Sequence, residues 1–155
     1  MRSSNFETHD HNQCVKGAIE KVALTCAEKK LQLTPIRRRV LEIMLEEHRA
    51  WGAYEILERL GAEGQKSQPP VAYRALDFLV KNRFAHKIER LNAFIACSHP
   101  GENHAPIFMI CRNCELVAEA HSEPYNGQLG QAARSAGFQI ERTIVEAEGL
   151  CPKCQ

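Results

Sequence analysis

Four cysteines limit what this chain can fold into more than any other feature. Cys111 and Cys114 of "CRNC", and Cys151 and Cys154 of "CPKC", are two C-x-x-C pairs with 36 residues between them. Two intervening residues let both sulfurs of a tight turn reach one ion, and two such turns complete a tetrahedron of thiolates around zinc at about 2.3 Å. The gap exceeds that of an ordinary zinc ribbon but accommodates a strand, a helix and a strand. Four ligands close the site to substrate, so the metal this spacing implies is structural. The competing reading is a pair of redox-active or incidental dithiols, and two pairs ending strands of one small domain favour the metal.

The remaining cysteines, Cys14, Cys26 and Cys97, bring the count to seven. An odd number fits a disulfide framework poorly. The N-terminal "MRSSNFETHDHNQC" has no apolar export core, and no apolar run approaches the roughly 20 residues of a membrane span. The expectation is a cytoplasmic protein with reduced thiols. Charge is unevenly spread: residues 1–90 hold 16 Lys and Arg against 12 Asp and Glu, residues 91–155 only 4 against 7. A basic first half joined to an acidic, cysteine-rich second half implies two domains with different partners.

Periodicity divides the chain in the same place. Residues 15–26 carry Val15, Ala18, Ile19, Val22, Ala23 and Cys26 at helical spacing. "LTPIRRRVLEIMLEEH" starts a second helix with Thr34 as N-cap and Pro35 in the first position, burying Ile36, Val40, Ile43 and Met44. "GAYEILERLGAEG" is a third. "PPVAYRALDFLVKN" is a fourth, with Ala72, Ala75, Leu76, Leu79 and Val80 on one face. "FAHKIE" and "NAFIAC" read as two strands of a wing joined by "RLN", which gives the winged helix-turn-helix order. Beyond them "APIFMI", "ELVAEA" and "FQIERTIVEA" read as strands. "SEPYNGQLGQAARSAG" reads as a helix capped by Ser122, striped by Leu129, Ala132, Ala133 and Ala136, and stopped by Gly137. The expected fold is α+β. A winged-helix domain fills residues 1–96, with 1–12 a disordered tail; 97–104 form a hinge, and 105–155 a small α/β domain with the four-cysteine site.

A second group of metal-ligating types clusters near that hinge: His86, Cys97, His99, His104, Glu119 and His121. A His, Cys, His, Glu set makes a mixed site suited to zinc. Spacing alone leaves the bland readings open. His86 also fits a wing surface, Cys97 a small buried hydrophobe, and Glu119 a solvated acid. On the fourth helix the buried stripe turns Tyr73, Arg74, Asp77 and Lys81 outward. Arg pairs bidentately with guanine, and Tyr contacts a thymine methyl or a phosphate. Arg37, in the first turn of the second helix, is a candidate phosphate contact.

"LTPIRRRVL", "PPVAYRALDFL", "FAHKIERLNAFIAC", "FMICRNCELVAEA" and "IVEAEGLCPKC", in that order from residue 31 to 154, resemble the ferric uptake regulator family, and most closely its zinc uptake regulator branch. The resemblance implies an N-terminal winged helix and a C-terminal dimerisation domain. It places structural zinc on Cys111, Cys114, Cys151 and Cys154. It places regulatory zinc on His86, Cys97, His104 and Glu119, about two ions per subunit in all. It adds Tyr54 to Tyr73 and Arg74 as DNA-contacting residues, and leaves His99 and His121 as auxiliary metal candidates. The implied activity is zinc-dependent repression by a homodimer on double-stranded, palindromic operator DNA, with no small-molecule substrate and no catalytic residues. Two stretches depart from the pattern. Val71 and Ala72 stand where the family has a hydroxyl residue then Val, and Arg83 where it has Gly.

Other readings compete. Within the family, an iron, manganese or peroxide sensor shares most of these motifs. A zinc deaminase is suggested by "HSE" and "CPKC", but Leu150, not Pro, precedes Cys151 and "CRNC" is left unexplained. A zinc-ribbon interaction module without DNA binding is the third.

Overall fold

The computed structural model describes residues 6, 10–65, 68–123 and 125–155. They divide between Glu102 and Asn103 into two compact units.

The first unit holds four helices, α1 (His11–Glu28), α2 (Pro35–Leu45), α3 (Ala53–Ala62) and α4 (Pro69–Lys81), then the two-stranded wing of β1 (Ala85–Ile88) and β2 (Ala93–Ala96). Helix α1 starts four residues before the expected Val15. The Asp10 side chain accepts from the Asn12 and Gln13 amides at 3.2 and 3.4 Å and caps it there. Of the expected tail, residues 1–5 and 7–9, His9 included, lie outside the described residues, while Asp10, His11 and Asn12 form the helix start. Thr34 caps α2 by accepting from the Arg37 amide at 3.4 Å, and Pro35 occupies its first turn. Leu41 joins Val40, Ile43 and Met44 in burial, whereas Ile36 is only half-buried. These side chains pack with Ile56, Leu60, Leu76, Leu79, Phe84 and Trp51 into one apolar core. Cys26 belongs to that core, and burial pushes its thiol up from the ordinary range. Ion pairs from Arg39 and Arg59 to Glu46 and Glu63 tie α2 to α3.

Three of these helices end alike. The amides of Leu31, Gln65 and Phe84 reach back to the carbonyls of Cys26, Leu60 and Leu79 at 2.8, 3.0 and 2.8 Å, around left-handed Lys30, Gly64 and Arg83. Arg83 (φ 61°) therefore fills a position that glycine takes without strain. The Asn82 side chain helps close the turn by donating to the Phe78 carbonyl at 2.8 Å.

In the wing, β1 and β2 pair antiparallel with His86 opposite Ile95, and Phe94 exchanges two backbone hydrogen bonds of 2.7 and 2.8 Å with Trp51. Residues 97–102 stay attached to this unit. The Cys97 amide bonds the Phe84 carbonyl at 3.0 Å, the Gly101 amide bonds the Arg83 carbonyl at 2.9 Å, and Lys21 on α1 pairs with Glu102 at 2.8 Å. Gly101 has φ +81°, and a Cβ there would stand 3.2 Å from the Thr25 methyl.

The second unit is a three-stranded sheet, β3 (Ala105–Cys111), β4 (Val117–Ser122) and β5 (Val145–Gly149), with helix α5 (Gln128–Ser135) between its last two strands. The order is β4-β3-β5: β4 pairs antiparallel with β3, and β5 parallel with it. Two expectations are corrected here. Ser122 ends β4, and Gly127 is the residue before α5. Only the end of "FQIERTIVEA" is a strand. The Phe138 amide closes the end of α5 by bonding the Ala133 carbonyl at 2.8 Å around left-handed Gly137, so that stretch serves the helix cap and the pairing begins at Val145 opposite Ile107. Of the expected α5 stripe only Ala133 is buried, and Leu129 is 51% exposed.

The Gly101 cradle yields a stability prediction. Gly101→Ala forces an L residue into the left-handed region against Thr25 and should destabilise the first unit by about 1–2 kcal/mol. Gly17→Ala, in mid-helix with nothing near its missing Cβ, should stabilise by about 0.5–1 kcal/mol. Urea unfolding followed by fluorescence of the single tryptophan, Trp51, reads both; equal midpoints for the two variants would exclude the cradle.

Candidate metal centres and nucleic-acid interface

Parallel pairing explains why the two cysteine pairs meet. Strands β3 and β5 run the same way with Cys111 opposite Gly149, so both C-x-x-C turns emerge at the same sheet end. The first turn closes by Glu115 amide to Cys111 carbonyl (3.0 Å), with Glu115 left-handed at φ 62°, and the second by Cys154 amide to Cys151 carbonyl (2.9 Å). The four sulfurs lie within 4.8 Å of one another. The Cys114 and Cys151 sulfurs are 3.7 Å apart. A disulfide needs about 2.05 Å, while the edge of a sulfur tetrahedron around an ion at ~2.3 Å is about 3.8 Å. The spacing fits zinc.

The electrostatics point the same way. Amide donation from Cys114 and Cys151 holds the Cys111 thiol down to about 6. Cys114, although the Leu116 amide favours its thiolate, is pushed up to about 12 by burial and by the neighbouring Cys111, Cys151 and Cys154 sulfurs. One thiolate forms readily and the next resists, because like charges crowd; a divalent cation at the centre removes that conflict. The Asn113 side-chain amide also donates to the Cys154 sulfur at 3.3 Å. Sequence reasoning passed over this residue, whose signal was a polar amide inside "CRNC".

The second set of ligands appears as two halves, one in each unit. In the first, His86 stands half-buried on β1 and Cys97, 3% exposed, directly follows β2, with their donor atoms within 4.8 Å. The His99 amide donates to the Cys97 sulfur at 3.3 Å, and its ring lies 3.0 Å from the Ser98 hydroxyl. In the second unit His104 Nε2 lies 2.7 Å from Glu119 Oε1, with side chains 6% and 1% exposed. Glu119, opposite Phe108, is a buried carboxylate on an otherwise apolar stretch of sheet, a costly placement unless a partner or an ion compensates. The His121 ring packs against that of His104 at 4.7 Å between centroids. Each half offers donors of a type zinc accepts.

The candidate DNA face lies on α3 and α4. Tyr54 is 70% and Tyr73 41% exposed, and Arg74 is exposed beside it. Helix α4 begins at Pro69 with no side-chain cap from Gln68, and Val71 lies inside its first turn. Arg37 is partly engaged within the unit. Its guanidinium lies 3.8 Å over the Phe78 ring and donates to the Gln32 carbonyl at 2.6 Å, a packing role its sequence context did not reveal.

No protein-family model matches the chain. The zinc uptake regulation protein of Escherichia coli (strain K12) is 35% identical over 130 residues, 83% of this chain and 76% of the relative. A solved zinc uptake regulator complexed with zinc and DNA has a TM-score of 0.82 at 32% identity, covering 90% of this chain and 93% of that one. The crystal structure of holo XcZur follows at 0.78 and 39%, covering 87% and 94%. The chain belongs to the zinc uptake regulator branch of the ferric uptake regulator family.

Proposed function

We propose that this chain is a zinc-responsive transcriptional repressor, a homodimer that binds a palindromic operator when loaded with zinc and represses zinc-uptake genes. The observation that carries the reading is the division of two ligand sets. Cys111, Cys114, Cys151 and Cys154 belong wholly to the second unit, whereas His86 with Cys97 and His104 with Glu119 are half-sites of different units. The first set is structural zinc, about one ion per subunit, and the second is the sensor. A relative whose structure contains zinc and DNA together supports this reading.

Bound zinc supplies bonds that reach full strength only when all four donors are presented together. Cys97 and His86 contribute from the winged helix, and the residues up to Glu102 keep them there; His104 and Glu119 contribute from the dimerisation domain. A ligand shifts a conformational equilibrium only by its differential affinity for the two states. Four donors drawn from two domains provide that difference. The Cys97 thiolate favours zinc over ferrous iron, which prefers imidazole and carboxylate. We assign residues 1–96 to DNA binding, 97–104 to the hinge and 105–155 to dimerisation, with the pivot after Glu102.

Tyr73, Arg74 and Tyr54 contact the operator, with Arg37 on a phosphate. In the second unit β4 and β5 are sheet edges, and Tyr125, Leu129, Phe138, Val145 and Leu150 leave apolar surface exposed that a second copy covers. No helix among the described residues is long and apolar enough to cross a membrane. The reading places the protein in the cytoplasm and assigns it no catalytic residue.

Three outcomes check these assignments. Cys151→Ser should lose the structural zinc, melt the second unit and yield monomers, because structural zinc contributes directly to folding. Cys14→Ser, exposed on α1, should do none of this; metal analysis with sedimentation separates them. Arg74→Ala should weaken operator binding by about 1–3 kcal/mol and relax preference at one base pair per half-site. An unaltered footprint and affinity would remove α4 from the groove. Cys97→Ser should remain dimeric, keep one tightly held zinc per subunit and bind operator weakly at every zinc concentration. Retention of the wild-type zinc dependence would move the sensor elsewhere.

A further inference from the structure

His121 has no part in either four-ligand set, yet it stands beside one. Antiparallel pairing puts Glu119 opposite Phe108 and His121 opposite Pro106. Residues two apart on a strand project from the same face, so Glu119 and His121 flank His104, which precedes β3. His104 bonds Glu119 at 2.7 Å, and its ring lies 4.7 Å from that of His121, tilted by 45°. Two imidazoles and a buried carboxylate thus gather within the second unit, with no contribution from the winged helix.

We propose that His104, Glu119 and His121 form a zinc-capture site of the second unit alone, with His121 serving as a provisional ligand. The proposal rests on His104 and Glu119 being sensor ligands. A His, His, Glu set is a recognised three-donor zinc site whose fourth position is left to water. Two donors would hold the ion weakly, and a third adds a chelate bond with little ordering, since strand pairing already fixes Glu119 and His121. The His121 ring lies tilted beside that of His104 and strand pairing holds its backbone, so a side-chain rotation, not a backbone change, commits it to the ion. When His86 and Cys97 are presented, a thiolate and an imidazole replace His121 and the open position, and His121 returns to its place beside the His104 ring. The sensor is thereby filled in two steps. Zinc binds first to a set with no soft ligand, which exchanges readily, and the thiolate joins last.

The test uses the full chain carrying His86→Ala and Cys97→Ser, which deletes every first-unit ligand. Titration with zinc against a chromophoric chelator should find one tight ion per subunit, the four-cysteine one, and a second, weaker ion. Adding His121→Ala should lower the affinity of that second ion at least tenfold, while adding His121→Cys should preserve or tighten it. Persistence of the weak ion with unchanged affinity after His121→Ala overturns the proposal, as does a double variant that holds only one zinc per subunit. Operator binding by the double variant is the separate control. If it still rises with zinc, the sensor assignment itself has failed, whatever His121 does.

Discussion

The cluster of four sulfurs at the shared end of β3 and β5 is what the second unit depends on. Burial alone cannot keep β5 on the sheet: Val145 is 40% exposed, and only Glu146 within the strand is better than exposed. A strand with so little apolar contact is marginal in water. Parallel pairing adds a second difficulty, because the strands are joined by a long crossover whose closure entropy opposes association. Metal ligation at the strand ends would answer both, joining residues 111–114 to 151–154 directly and fixing the Cys111–Gly149 register. That register propagates. Strand β3 positions β4, and β4 sets Glu119 three pairs from the sulfur turn, opposite Phe108. The four-cysteine cluster and the His104–Glu119 pair are therefore linked through one continuous backbone ladder.

The first unit is held by different means. Its helices pack round one apolar core, and three of the four are closed by the same backbone turn even where the sequence supplies Lys30 or Arg83 instead of glycine. A non-glycine residue there costs energy that the packing of Phe84 beneath it offsets, since Phe84 is fully buried and its amide completes the turn. The carbonyls of Arg83 and Phe84 also receive the amides of Gly101 and Cys97. The end of α4 and the segment bearing Cys97 are thus one hydrogen-bonded structure. A force on Cys97 is transmitted to α4 without a flexible joint between them.

How much of this could be read from the sequence follows from how local each signal is. Thr34-Pro35 before a helical apolar stripe announced α2 because the cap, the proline and the stripe all act within a few residues. The four-cysteine centre was legible for the same reason, each C-x-x-C pair being a single turn. Signals set by distant partners were not. Helix α1 starts at His11 because of Asp10, but His11, Asn12 and Gln13 carry no apolar periodicity. "FQIERTI" has strand-like composition, yet the Phe138 amide is claimed by the α5 cap. His104 and Glu119 lie fifteen positions apart and meet only through hairpin register; composition left them open, and family resemblance singled them out. The anchoring of 97–102 on α1 was invisible, since nothing in "CSHPGENH" distinguishes a docked connector from a free one.

The two centres differ in when their binding energy is available. In the four-cysteine set all donors belong to one unit, so ligation is coupled to the folding of that unit and is complete whenever it is folded. In the proposed split sensor, part of the ligation energy would go into ordering one domain against the other, which would lower apparent affinity by the fraction of molecules already so ordered. On the proposed reading, a folded state with the four-cysteine ion bound precedes the response to zinc. Operator DNA, which selects the ordered state, removes part of that cost. By linkage it tightens the sensor by the same factor that zinc tightens the operator complex. If the DNA-competent arrangement were 1% populated without zinc, roughly 10⁴-fold differential affinity would be needed to make it 99% populated. Only a ligand set divided between the domains can supply such a difference; a sensor with all four ligands in one unit could bind zinc as tightly and shift nothing.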